Sequence, residues 1–130
     1  VLNINIGAED DFYPEEIKDI ILAVLEKSLS EIEPQSRRYD IVTNILRSNK
    51  HHSIREKKIE QLKHALKSSS KMTPHILQEL KDIGFEISED GKHYKLTYFG
   101  DARYTIALAK TPSDYRSGQN NISIITKTVF

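Results

Sequence analysis

His93 is the side chain of this chain best suited to proton chemistry, standing in Gly91-Lys92-His93-Tyr94-Lys95 with Arg103 shortly after. An imidazole titrates near neutrality and passes a proton in either direction. Cleavage of a phosphodiester would also need cations where negative charge develops, and Lys92, Lys95 and Arg103 are the ones at hand. The same residues suit a simpler task, since lysine and arginine hold phosphates without reading sequence. Arg116 and Ser117 come just before a predicted last helix, whose free amides could receive a phosphate. Asp114 or Ser117 would equally serve there as an ordinary cap. No metal or cofactor is expected. His51-His52 and His64 lack ligand spacing, and the absence of cysteine removes thiolate sites and disulfides.

These residues need elements to place them. Thr73-Pro74 reads as a cap followed by a proline start, and Ile76, Leu77, Leu80 and Ile83 follow at helical spacing up to Gly84. Phe85 to Ser88 is predicted as a strand, and Asp90-Gly91 as the centre of a tight hairpin turn. A second strand runs from His93 to Phe99, a turn follows at Gly100-Asp101-Ala102, and a third strand runs from Arg103 to Ala109. A polar loop over Lys110–Ser117 leads to a closing helix with Ile122, Ile125 and Val129. Alternation places Tyr94, Leu96, Tyr98, Tyr104, Ile106 and Leu108 on the buried face. His93, Lys95, Thr97, Arg103 and Thr105 then share the open one, because a slip of one residue would exchange the two sets.

The segment ahead is mainly helical. Leu2-Asn3-Ile4-Asn5-Ile6 alternates and is predicted as a short strand. Pro14-Glu15-Glu16 opens a helix over about 14–30 with the stripe Ile17, Ile20, Ile21, Val24, Leu25, Leu29. Further helices are expected over about 37–47 and 53–67, the last capped by Ser53. Ser68-Ser69-Ser70-Lys71 reads as a linker, giving a helical region 1–71 and a second domain 72–130. The predicted class is α+β: an N-terminal helical region, then an α-β-β-β-α unit with a three-stranded antiparallel sheet.

Net charge is zero, yet the charges are segregated. Val1–Ser36 carries −7, Arg47–Lys71 carries +6, and Lys92–Phe130 carries +4. Clustered bases on a neutral protein are compatible with an anionic polymer as partner. The acidic first helix and the basic third could instead pair with each other or with a partner protein. No apolar run is long enough to span a bilayer, so a cytoplasmic protein is the default expectation. The start at Val1, directly in an alternating segment, looks like a piece of a longer protein.

The run Leu80-Lys81-Asp82-Ile83-Gly84-Phe85-Glu86-Ile87, followed by Asp90-Gly91-Lys92-His93-Tyr94, resembles the HicA family of small mRNA-cleaving toxins, whose fold is similar to the double-stranded RNA-binding domain. The likeness spans roughly residues 74–130. It implies a helix ending in a glycine-aromatic pair, three strands and a closing helix. It also implies a histidine opening the second strand that is catalytic in those toxins, and here that is His93. Lys92 stands where the family carries a small hydroxyl residue. The expectation is a nucleic-acid-binding module, for RNA or DNA, belonging to a larger protein, with contacts from Lys92, His93, Lys95, Arg103, Arg116 and Ser117. The alternatives are a metal-independent ribonuclease using His93, and a protein-interaction or self-association module built on the N-terminal helices.

Overall fold

The computed structural model describes residues 1–50, 54–67, 71–111 and 116–130. The chain divides into two units, Val1–Arg55 and Glu56–Phe130. The expected boundary at Ser68–Lys71 is thus displaced toward the N-terminus. The helix Ile54–Leu66 (α3) gives its buried Leu62, Ala65 and Leu66 to the C-terminal unit. Residues 68–70, Ser53 and His51-His52 lie outside the described residues.

The N-terminal unit holds α1 (Glu16–Ser28), a single 3-10 turn at Leu29–Glu31, and α2 (Arg37–Ser48). The start of α1 is tied down by two carboxylates. Asp11 Oδ1 accepts the Ile17 N–H and Glu16 Oε1 accepts the Phe12 N–H, each at 2.8 Å. Ser36 caps α2 by accepting the Tyr39 N–H at 3.2 Å, the reason a serine is favoured there. Two expectations fail. Residues 1–6 form no strand, because their backbone makes no hydrogen bond among the described residues. The most buried stripe of the first helical segment is Tyr13, Glu16, Asp19 and Leu22, while Ile20 and Val24 of the predicted apolar face are exposed.

The C-terminal unit adds α4 (Pro74–Ile83), β1 (Phe85–Asp90), β2 (His93–Tyr98), β3 (Thr105–Ala109) and α5 (Ser117–Val129) to α3. The strands form one antiparallel sheet in the order β1-β2-β3. Together with the N-terminal helices this is the α+β class. Thr73 Oγ1 accepts the Ile76 N–H at 3.3 Å and so caps α4, with Pro74 following. Leu80, Ile83, Phe85, Leu96, Tyr98, Ile106, Leu108, Ile122 and Ile125 are all buried. The alternating residues of β2 and β3 therefore supply the core face. Gly118 is as close a fit as any: a Cβ there would lie 2.1 Å from the Leu66 carbonyl oxygen, so only glycine lets α5 approach the end of α3.

The first hairpin differs by one residue from the expected turn. Asp90 pairs with His93, so Gly91 and Lys92 are the two central residues. Backbone φ is +59° at Gly91 and not positive at Lys92, the pattern that places glycine at the first central position rather than the second. At the other end of β2, Phe99 has φ +48° and donates its N–H to the Gly84 carbonyl at 2.8 Å. Its ring covers Gly84, where φ is +133° and a Cβ would lie 2.4 Å from the ring.

The core face makes a direct prediction. Leu96→Ala should cost about 2–5 kcal/mol in a denaturation experiment, while Lys95→Ala, one position away on the exposed face, should change stability by less than about 0.5 kcal/mol. Gly84→Ala should cost about 1–3 kcal/mol, since it combines unfavourable φ with displacement of Phe99. Equal effects at Leu96 and Lys95 would mean that the faces of the sheet are assigned the wrong way round.

Candidate functional site

Strand register defines the uncovered face of the sheet. Three rows cross it: Asp90, His93 and Ala109; Ser88, Lys95 and Ala107; Glu86, Thr97 and Thr105. Apart from half-buried Thr97 and Ala109, these residues are exposed. The face is less basic than β2 and β3 alone suggest, because β1 contributes Glu86 and Asp90. Its small side chains make it shallow. Thr97 and Thr105 sit side by side with hydroxyls 3.5 Å apart.

At the hairpin end the ladder continues past β3. The Lys92 carbonyl accepts the Lys110 N–H at 2.9 Å, which brings the two lysines opposite each other. Gly91, Lys92, His93, Ala109, Lys110 and Thr111 line a cleft of about 410 Å³ there. Lys92, His93 and Lys95 make no side-chain hydrogen bond or ion pair among the described residues. Lys110 lies 3.4 Å from Glu89 and 5.2 Å above the Tyr94 ring. A pair that is mostly exposed on the carboxylate side is worth roughly 0–1 kcal/mol, so Lys110 can exchange Glu89 for another anion at little cost. Lys110 and Thr111 were not among the residues chosen from sequence. Extending the pairing of His93 with Ala109 by one residue would have placed Lys110 beside Lys92.

The other expected contacts are elsewhere. Arg103 precedes β3, in the turn at the far end of β2 from His93. Five strand steps separate His93 from Tyr98, roughly 17 Å at 3.4 Å per residue. Its guanidinium binds Asp101 through Nη2 at 2.7 Å and Nε at 3.1 Å, and lies 5.0 Å above the Tyr104 ring. Hydrogen bonds from the Arg103 side chain, then from its backbone N–H, hold the Asp101 carboxyl below the usual aspartate range. Arg116 is exposed and occupies the N-cap position of α5 without a side-chain cap bond, and half-buried Ser117 is the first residue inside that helix. Ser117 is therefore not the cap. Asp114 and Tyr115 lie outside the described residues. Arg103 is thus set apart from the hairpin-end group of Lys92, His93 and Lys110, with Lys95 one row along the sheet from His93.

Two histidines sit near one carboxylate elsewhere in the unit. His64 Nδ1 is 3.5 Å and His75 Nε2 3.2 Å from Glu79 Oε1. No group of three histidine or acidic side chains among the described residues is arranged to hold a metal ion. No helix among them is long and apolar enough to cross a membrane. Comparisons with protein-family models, curated proteins and solved structures return no match.

The Asp101–Arg103 pair can be tested by titration. Because the folded carboxyl titrates below its unfolded value, the contribution of the pair is present above the unfolded aspartate pKa near 4 and is lost as pH falls through the folded one. The Asp101 side-chain carbon shift, followed by NMR, should have its midpoint below the ordinary 3.8. Arg103→Gln should raise that midpoint toward the ordinary value. An unchanged midpoint would show that Arg103 is not what holds Asp101.

Proposed function

We propose that this chain is a nucleic-acid-binding module that holds backbone phosphates at the hairpin end of its sheet. The observation that supports this best is the cleft shared by Lys92, His93 and Lys110, with Lys95 beyond it on an uncovered face. Among the described residues, the side chains of Lys92, His93 and Lys95 make no hydrogen bond or ion pair. Such an arrangement binds anions through charge-assisted hydrogen bonds: His93 and Lys95 serve the open face, while Lys110, which lies over the Tyr94 ring, reaches a phosphate from the rim of the hairpin. The shallow, small-residue surface between them suits a sugar–phosphate backbone better than a small molecule, which normally needs an enclosed apolar pocket. The resemblance to HicA toxins and double-stranded RNA-binding domains points the same way, through the order α4-β1-β2-β3-α5 and a histidine opening β2. A cytoplasmic location goes with this reading, as does membership of a larger protein in which the module serves as an accessory. A ribonuclease is the second reading, and register favours it in one respect: Asp90 lies directly across from His93, a carboxylate able to orient an imidazole.

Labelled single- and double-stranded RNA and DNA, run on native gels at about 50 mM salt, test the proposal. Affinity should fall with salt at a log–log slope of about −2 to −4, using roughly −0.7 to −0.9 per phosphate contact. Lys92→Gln with Lys95→Gln should flatten the slope by about one to two units. Arg103→Gln should leave it nearly unchanged, because Asp101 already holds that guanidinium. His93→Ala should weaken binding modestly, with no strand cut on a denaturing gel by either protein. Cleavage by wild type that His93→Ala abolishes would establish the ribonuclease instead. No shift of any probe would defeat both.

A further inference from the structure

The N-terminal unit does not close a core of its own. Among its described residues, Tyr13 and Leu22 are the only apolar side chains classed as buried, while Val1, Leu2, Ile4, Ile6, Ile20, Val24 and Ile41 are all exposed. Leu2, Ile4 and Ile6 are 76%, 60% and 45% exposed. They form one side of an apolar groove of about 570 Å³, whose other side includes Ile17, Ile21 and Leu25 of α1. The alternation of this segment is that of a strand, yet its backbone is unpaired within the described chain. Gly7, at φ +69°, and Ala8 turn the chain away after Ile6.

We infer that residues 2–6 are an interaction edge whose partner is a second copy of the same segment, paired antiparallel about Ile4. Three features of the segment specify that partner. Its polarity pattern, apolar-Asn-apolar-Asn-apolar, reads the same in both directions. Antiparallel pairing centred on Ile4 therefore sets Leu2 against Ile6, Ile4 against Ile4, and Asn3 against Asn5. Directly opposed residues of antiparallel strands point to the same side, so the six apolar side chains of two copies form one face above both α1 grooves. The amides of Asn3 and Asn5 share the other face and can bond to each other or to water. Finally, no side chain from Val1 to Ala8 is charged, so a self-pair sets no like charges opposite one another. Two short strands alone are marginal in water, and burial against α1 supplies what they lack. The contact is a two-fold isologous one, the commonest form for homodimers. The flanking acids Glu9, Asp10 and Asp11 of the two copies fall at opposite ends of the pair, well beyond a Debye length, so salt should change the association little. Nucleic-acid binding falls steeply with salt, so failure of either reading leaves the other standing.

A charge-swap at position 4 tests the geometry, because only a two-fold pair about Ile4 sets that residue against itself. The residue is exposed in the single chain, so Ile4→Lys and Ile4→Glu should each keep the wild-type circular dichroism spectrum. Sedimentation equilibrium of the 130-residue chain at about 10–500 µM should show a monomer–dimer equilibrium. Each variant alone should dimerise at least roughly tenfold more weakly, having lost an apolar contact and gained like charges face to face. An equimolar mixture should recover most of that loss, since the introduced lysine then faces the introduced glutamate. A strictly monomeric wild type overturns the inference. So does a dimer indifferent to both substitutions, or one that the mixture fails to restore, since these place the contact on the helices instead.

Discussion

Tyr98 ends β2 on the buried side of the sheet, with the rings of Phe85 at 5.0 Å, Phe99 at 4.8 Å and Phe130 at 5.8 Å. These four aromatics come from both strands of the first hairpin, the following turn and the chain's last residue. Offset and edge-on ring contacts add to the area they bury. With Tyr98 fixed inward, Leu96 must also point inward and Lys95 and His93 outward, because strand side chains alternate. The basic residues of β2 owe their exposure to this packing on the opposite side.

The same constraint explains the glycines that frame the sheet. Phe99 follows Tyr98 directly and reaches across Gly84 only because no Cβ stands in its way. That contact joins the end of β2 to the junction of α4 and β1. Lys58 of α3 adds to it from above, donating to the Ile83 carbonyl and lying 5.4 Å over the Phe99 ring. A lysine in the basic stretch of the sequence therefore serves the fold rather than a phosphate. Arg103 is similar, since its charge is directed to Asp101 and its plane to Tyr104. Two of the cations that composition groups with the others thus have structural partners, whereas the Lys92 and Lys95 side chains have none among the described residues.

The two units use apolar residues differently. The C-terminal unit buries its leucines and isoleucines on matched helix and strand faces, leaving Phe99 and Ile124 as its exposed large hydrophobics among the described residues. In the N-terminal unit the buried stripe passes through Glu16 and Asp19. Glu16 is tolerated there because it accepts the Phe12 N–H, which meets part of the cost of burying a carboxylate. The isoleucines on the neighbouring face line an open groove, and it is on this imbalance that the role inferred for residues 2–6 rests.

By itself the sequence determined the element order of the C-terminal unit, the cap at Thr73 and the inward residues of β2 and β3. These depend on local chemistry and on a two-residue period that one strand suffices to display. It also marked His93 and Lys95 as outward and set Lys92 at the hairpin turn. Tertiary structure alone decided which cations meet. Placing Lys110 beside Lys92 requires the register of β2 against β3, and setting Arg103 apart with Asp101 depends on the turn running on through Tyr104, where Gly100 to Ala102 was expected. It also decided that α3 belongs with the sheet, through the close approach of Gly118 to Leu66, and that Leu2, Ile4 and Ile6 have no partner strand among the described residues. Alternation states that a strand is suitable, but a strand exists only where another backbone supplies its hydrogen bonds.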